Sequence, residues 1–81
     1  MVIRDVLISV FDEVAADQSC TLAPLSDELK LVGCGLDSLS FAIVVDRLEG
    51  ALGVDPFNAD GPVEFPVTFG DLVRLYERAA T

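Results

Sequence analysis

The run from Gly35 to Leu39 reads Gly-Leu-Asp-Ser-Leu and holds the residues whose types and order could do the most specific chemistry. It places Ser38 directly after Asp37, where a glycine-containing loop gives way to an apolar helical pattern. A serine at such a helix entrance is expected to be exposed and within reach of another protein. Because a serine nucleophile needs a nearby base, usually histidine, and the chain contains no histidine, the run indicates attachment to Ser38 rather than catalysis by it.

Other catalytic and metal sites lack the residues they would need. The one lysine, Lys30, lies in a predicted loop, and the Gly33–Gly35 segment lacks the lysine and the preceding strand of a phosphate loop. Paired-carboxylate hydrolysis needs two acids flanking a cleft, for which a small helical domain has little room. Cys20 and Cys34 cannot supply the roughly four Cys/His ligands of a zinc site, so both thiols are expected to be free and reduced. We expect neither intrinsic enzyme activity nor a metal site.

Composition and charge limit the partners. The chain has 81 residues, of which 52% are hydrophobic, and its 5 basic and 14 acidic residues give a net charge of −9. Residues 1–81 are expected to form one small domain and a monomer. The charge argues against nucleic acid and anionic membranes as partners, because both require Lys and Arg at the interface, and it favours proteins with basic patches. The N-terminus does not resemble a signal peptide and no apolar stretch reaches about 18 residues, which predicts a cytoplasmic location.

Two helices are predicted on either side of a long loop. The first spans about residues 2–16, where apolar residues recur at helical spacing. The second runs from Ser38 to about Leu52, with Asp37 as its N-cap and Gly53 ending it. The loop between them, residues 17–37, retains leucines and is therefore expected to lie on the core. The stripe of the first helix consists of Ile3, Val6, Leu7, Val10, Phe11 and Val14.

The last helix begins at Thr68, whose spacing to Asp71 resembles a capping box. Residues 54–67 before it contain three prolines and Gly61, so regular structure there is expected to be short. These elements predict an all-α fold, a small bundle of three to four helices with a long first loop and a short or irregular third helix. The predicted core consists of Val6, Leu7, Val10, Phe11, Phe41, Val45, Leu48, Phe69, Leu72, Val73 and Tyr76.

At Ser38 the residues themselves leave two interpretations open. In the first, its hydroxyl only helps to cap the second helix, as serine often does. In the second, it accepts a covalent group, and a phosphodiester there would lie at the positive end of the helix, where anions are stabilised.

Three segments of the chain resemble the acyl carrier protein family. They are the run 35–39, the segment 48–54 that closes the second helix, and the segment 68–72 that opens the last one. The order of helix, long loop, Asp-Ser-Leu, helix, crossover and helix extends the resemblance over essentially the whole chain. It implies an acyl-carrier-protein-like bundle in which Ser38 carries 4′-phosphopantetheine, transferred from coenzyme A by a separate Mg²⁺-dependent phosphopantetheinyl transferase.

The resemblance also implies roles for neighbouring residues. The terminal thiol of that group would hold an acyl chain as a thioester, Asp37 would help to position the metal and the attachment site, and Leu36 and Leu39 would contact partner enzymes. Those partners would be an acyl-activating ligase, a ketosynthase or an acyltransferase.

On a helical wheel Leu39 and Ile43 fall opposite the core-facing residues, which predicts an apolar docking strip. The predicted partner-binding residues are Leu36, Leu39, Ile43, Asp46, Arg47 and Glu49.

Departures from the family pattern favour a specialised biosynthetic pathway, such as a polyketide or lipid pathway, over housekeeping fatty acid synthesis. Carriers of fatty acid synthesis usually have acidic residues on the outer face of the second helix, where this chain has Ser40 and Ile43. The crossover has Gly61, Pro62 and Pro66 where the family usually forms a short helix. One alternative is a peptidyl or aminoacyl carrier. These generally show the signature Gly-Gly-x-Ser at the attachment site, where this chain has Gly35-Leu36-Asp37-Ser38. The other alternative is a helical adaptor that is never modified.

Overall fold

The structure, a computed structural model, describes residues 2–58 and 66–80. These residues contain three α-helices: α1 (Ile3–Asp17), α2 (Ser38–Leu52) and α3 (Phe69–Ala79). Single turns of 3-10 helix lie at Leu31–Gly33 and Pro56–Asn58. The predicted all-α class and the positions of the three helices are confirmed. Among the described residues no helix is long and apolar enough to cross a membrane.

The core lies where α1 packs against α2 and α3. Phe11 of α1 and Phe69 of α3 meet edge to face, with ring centroids 5.3 Å apart and planes at 89°, a geometry that adds to the stabilisation from apolar burial. Tyr76 of α3 is fully buried, and burial raises the pKa of its hydroxyl to about 12. The largest fully buried apolar side chains are Phe11, Phe69, Leu7, Leu48, Leu72, Val14, Val44 and Val73.

Three predicted core residues are only partly buried: Val6, Phe41 and Val45. The buried face of α2 is centred on Val44, which is fully buried. Val45 is one position further along the chain and therefore about 100° around the helix, at the edge of that face. Periodicity thus identified the apolar side of α2 but not which of its residues are fully buried.

The first loop lies on the core, as predicted from its leucines. Leu31 is buried, and the other loop leucines, Leu22, Leu25 and Leu29, are partly buried against the core. The segment from Asp27 to Leu31 is bonded to the start of α3. The Leu31 amide donates to the carbonyl of Val67 at 2.9 Å, the Phe69 amide to Leu29 at 2.8 Å and the Gly70 amide to Asp27 at 3.2 Å.

The two ends of the loop approach each other just before α2. Gly35 has φ +107°, and a Cβ there would lie 2.0 Å from the carbonyl oxygen of Thr21. Only glycine fits both that backbone conformation and that approach. Next to it, the Ala23 amide donates to the carbonyl of Cys34 at 2.9 Å. The Cys34 side chain is fully buried in the core cluster, so its role is packing.

The crossover after α2 begins at Gly53, which has φ +71° and ends the helix as predicted. In the described part of the crossover, regular structure is limited to the turn Pro56–Asn58. Most of the segment in which a short or irregular third helix is predicted, residues 59–65, lies outside the described residues. The unusual crossover residues Gly61 and Pro62 lie outside the described residues.

Candidate functional site

The entrance of α2 is built by a side-chain cap. Asp37 has extended backbone angles (φ −83°, ψ 179°), and its carboxylate accepts from the Ser40 amide at 2.7 Å. Its carbonyl accepts the first intrahelical bond, from the Phe41 amide at 2.9 Å. The bond from the Ser40 amide holds the pKa of the Asp37 carboxyl below its ordinary value, because it stabilises the charged form. The Ser40 amide is therefore already occupied by Asp37.

The two serines of the first turn have opposite surroundings. Ser38 is exposed, whereas Ser40 is buried with 1% of its surface accessible. The Ser40 hydroxyl lies 3.9 Å from the Cys20 sulfur, below the surface between α2 and the start of the loop. Of these two hydroxyls, only that of Ser38 can be reached by another protein.

An apolar groove opens beside Ser38. It has a volume of about 300 Å³. Its Leu31 is nearly fully buried, whereas 94% of Val32 is exposed at its rim. We call this feature the Ser38 groove, and its lining residues are Leu31, Val32, Leu36, Asp37, Ser38 and Phe41.

The sequence pattern does not predict the Ser38 groove. It places Val32 in a loop and predicts Phe41 to be a core residue. The structure shows the reason for the partial exposure of Phe41, since its side chain lines the groove instead of lying wholly within the core. One feature of the sequence does point to this region: Val32 is an apolar residue in a loop, outside any helical or strand pattern that would predict its burial.

The predicted docking strip of Leu39 and Ile43 is only partly present. Leu39 is 67% exposed. Ile43, however, is half-buried and packs against the core, because the buried face of α2 extends to Ser40 and brings this side of the helix onto the body of the protein. The exposed apolar residues near Ser38 are therefore Leu39 and Val32, not Leu39 and Ile43.

The charged residues predicted to bind partners differ in their availability. Asp46 and Glu49 are exposed on α2. Arg47 is half-buried and paired with α1, with its guanidinium 2.7 Å from the Asp17 carboxylate and 3.9 Å from that of Glu13. Since this guanidinium already has acidic partners, the outer surface of α2 presents mainly negative charge.

No group of three or more His, Cys, Asp or Glu in residues 2–58 and 66–80 could hold a metal ion. Cys20 is half-buried and Cys34 is buried, and neither is in a disulfide. Asp37 alone cannot form a metal site, so a metal could act here only if a partner protein brought most of its ligands.

Comparisons with protein-family models, with curated protein sequences and with solved structures gave no match to this chain. The likeness to acyl carrier proteins thus depends on the residues 35–39, 48–54 and 68–72 and on the order of the helices.

Proposed function

We propose that this chain is an acyl carrier protein that bears 4′-phosphopantetheine on Ser38. The observation that supports the proposal is that Ser38 is exposed at the capped entrance of α2, in a chain with no histidine to activate it. Such a hydroxyl suits modification by another enzyme that brings its own base. The thiol at the end of the group would carry an acyl chain as a thioester.

The attachment step makes few demands on this chain. Ser38 Oγ forms a new bond to the phosphorus of coenzyme A that bears the pantetheine, while the pyrophosphate bond breaks. Adenosine 3′,5′-bisphosphate leaves, and the hydroxyl proton passes to a base of the transferase. The chain has only to present the oxygen in a constant position, which the cap of α2 does.

Asp37 contributes negative charge next to that oxygen. Its carboxylate is exposed, and its lowered pKa keeps it ionised at neutral pH. It can therefore attract the Mg²⁺ held by a phosphopantetheinyl transferase, although the described residues hold no metal cluster of their own.

The surface around Ser38 supports the proposed partners, an acyl-activating ligase, a ketosynthase or an acyltransferase. Leu39 supplies an exposed apolar contact, while Asp46 and Glu49 supply negative charge. With a net charge of −9, the carrier would be drawn toward enzymes with basic patches around their active-site entrances. The mixture of apolar and acidic contacts fits a dedicated carrier of a specialised pathway.

The proposal is tested by the intact mass of the protein after incubation with coenzyme A, Mg²⁺ and a broad-specificity phosphopantetheinyl transferase. We expect a mass increase of one phosphopantetheine in the wild type and in Ser26→Ala, which removes an exposed loop serine. We expect no increase in Ser38→Ala, which should remain folded because Ser38 is exposed.

An unchanged wild-type mass, with folded protein and several transferases, would refute the carrier function and favour the unmodified adaptor. If the modified protein is loaded by an amino-acid-adenylating enzyme and not by an acyl ligase, it is an aminoacyl carrier. Leu36 and Asp37 before the serine favour acyl cargo.

A further inference from the structure

We propose that the Ser38 groove holds the proximal part of the phosphopantetheine arm, so that the arm lies along the protein instead of extending freely into solvent. This inference depends on the proposed function and deepens it. The arm would lie between the 3-10 turn Leu31–Gly33 and the first turns of α2.

The position of the groove supports this occupant. Ser38 is itself one of the lining residues, so a group bonded to its oxygen starts at the wall of the groove. The volume of about 300 Å³ is at the lower end of the range of small-molecule pockets, roughly 300–1,000 Å³. A groove of that size can hold part of a slender chain such as the arm, but it is small for several side chains of a partner protein.

The polarity of the groove also changes in the direction that the arm requires. Its polar residues, Asp37 and Ser38, lie at the helix entrance, and its other lining residues are apolar: Leu31, Val32, Leu36 and Phe41. The arm begins with a phosphodiester, which is followed, after one methylene, by a carbon that carries two methyl groups. A polar, hydrated group at the helix entrance followed by a branched aliphatic group matches that order of polar and apolar surface.

The groove is preformed by backbone hydrogen bonds. The Leu31 amide donates to Val67 at 2.9 Å, and the Gly33 and Cys34 amides donate to Lys30 and Leu31 at 3.0 and 3.3 Å. The turn that bears Val32 is thus tied to the start of α3. A preformed site loses little conformational freedom on binding, which favours contact with even a short arm.

Phe41 packs against the core with part of its side chain and presents the rest to the groove, while Val32 lies exposed at the rim. A valine that is 94% exposed and a half-exposed phenylalanine border the same groove next to the only accessible serine of the α2 entrance. Places where residues depart from local rules of burial are often functional sites. Covering both side chains with the dimethyl group of the arm would account for the departure.

The test uses the full chain carrying phosphopantetheine with ¹³C-labelled methyl groups, after intact mass has shown complete modification. We expect nuclear Overhauser effects from the labelled methyls to the Phe41 ring and the Val32 methyls. We also expect changes in the amide shifts of Leu31 and Val32 between the unmodified and the modified protein.

Val32→Ser removes an exposed apolar side chain and should leave the fold intact. In this variant we expect the effects between the labelled methyls and Phe41 to be largely lost. Val2→Ser is the matched control, because Val2 is 59% exposed and lines a different groove, between α1 and the far half of α2. It should keep the wild-type contacts. Phe41→Leu preserves apolar packing but removes the aromatic ring. In this variant we expect the signals of the labelled methyls to lie less far upfield than in the wild type, because no ring current acts on them.

Each outcome bears on a different claim. Complete modification without contacts between the labelled methyls and the groove would overturn this inference and leave the carrier function standing. Contacts that persist unchanged in Val32→Ser would also overturn it. A wild type that never gains mass would overturn the carrier function, and this inference with it.

Discussion

The entrances of α2 and α3 are built by the same local chemistry. At α2 the Asp37 carboxylate accepts from the Ser40 amide at 2.7 Å. At α3 the Thr68 hydroxyl accepts from the Asp71 amide at 3.1 Å, and the Asp71 carboxylate accepts in return from the Thr68 amide at 3.2 Å. In both cases a side chain satisfies an amide that the helix itself leaves unpaired.

The two entrances differ in what covers them. The first residue of α3, Phe69, is fully buried, while the first residue of α2, Ser38, is exposed. The loop segment 27–31 bonds to the start of α3 through the amides of Phe69 and Gly70. The segment is also held by an ion pair between Arg4 of α1 and Asp27. Capping thus decides where a helix begins, whereas the surrounding chain decides whether its first residue is available to another protein.

The largest expected effect comes from truncating the first turn of α3. Phe69→Ala removes a fully buried ring that packs on Phe11 and should lower the free energy of unfolding by about 3–5 kcal/mol. Leu39→Ala in the first turn of α2 should change it by no more than about 0.5 kcal/mol, because Leu39 is 67% exposed. Urea unfolding measures the free energy of unfolding of both variants, provided that their m-values equal that of the wild type. Similar losses in the two variants would show that the entrances do not differ as described.

A smaller effect is expected where the loop touches α3. A Cβ at Gly70 would lie 2.9 Å from the Asp27 Cβ and 3.0 Å from its carbonyl oxygen, so Gly70→Ala should cost about 1–3 kcal/mol. Gly50 lies inside α2 with nothing within 4 Å of such a Cβ. Gly50→Ala should therefore stabilise the protein by about 0.4–1 kcal/mol, since alanine has less freedom in the unfolded chain. Thermal unfolding of the two variants should shift in opposite directions, and an unchanged or raised unfolding temperature in Gly70→Ala would contradict the close contact at Gly70.

The smallest expected effect is a change in acid sensitivity. The pKa of Asp37 is lowered from its ordinary value of 3.8, chiefly by the Ser40 amide, and that of Asp71 chiefly by the Arg74 guanidinium. A carboxyl whose folded pKa is lowered stabilises the fold above its unfolded pKa, and this contribution is lost as pH falls through the folded pKa. Stability should therefore decline as pH falls below about 3.8.

Asp37→Asn should make that decline less steep, because asparagine still caps the helix but does not titrate. Asp12→Asn, at an exposed position in the middle of α1, serves as the control for the loss of one negative charge. Unfolding measured across acidic pH values compares the three proteins. If the free energy of unfolding of Asp37→Asn fell with pH as steeply as that of Asp12→Asn, the role of the Asp37 cap would be contradicted.

Local signals predicted the helices well. The apolar stripe of α1 and the caps at Asp37 and Thr68 placed helix starts within about one residue, since hydrogen bonds between neighbours in the chain form wherever the local sequence allows them. Residues 24–29 of the loop form no helix. That segment contains only a hydrogen-bonded turn, with the Leu29 amide donating to Ser26 at 3.1 Å, because its backbone bonds go mainly to α3.

Contacts between distant segments were not predictable in the same way. The partial burial of Ile43 depends on how α2 lies on the body of the protein, and the Ser38 groove requires Leu31 and Val32 from the loop to meet Phe41 from α2. A helical wheel gives the order of side chains around one axis, but not the position of that axis relative to its neighbours.

The amino-acid sequence alone determined that this protein is helical and acidic, that its second helix starts after Asp37, and that Ser38 has no histidine to activate it. These properties follow from residue types and short spacings. The tertiary structure decided that Ser38 is exposed while Ser40 is buried, that Phe69 is buried where the loop bonds to the start of α3, and that an apolar groove lies beside Ser38. These properties depend on packing between segments far apart in the chain, where the burial of each side chain is determined by neighbours that its local sequence does not specify.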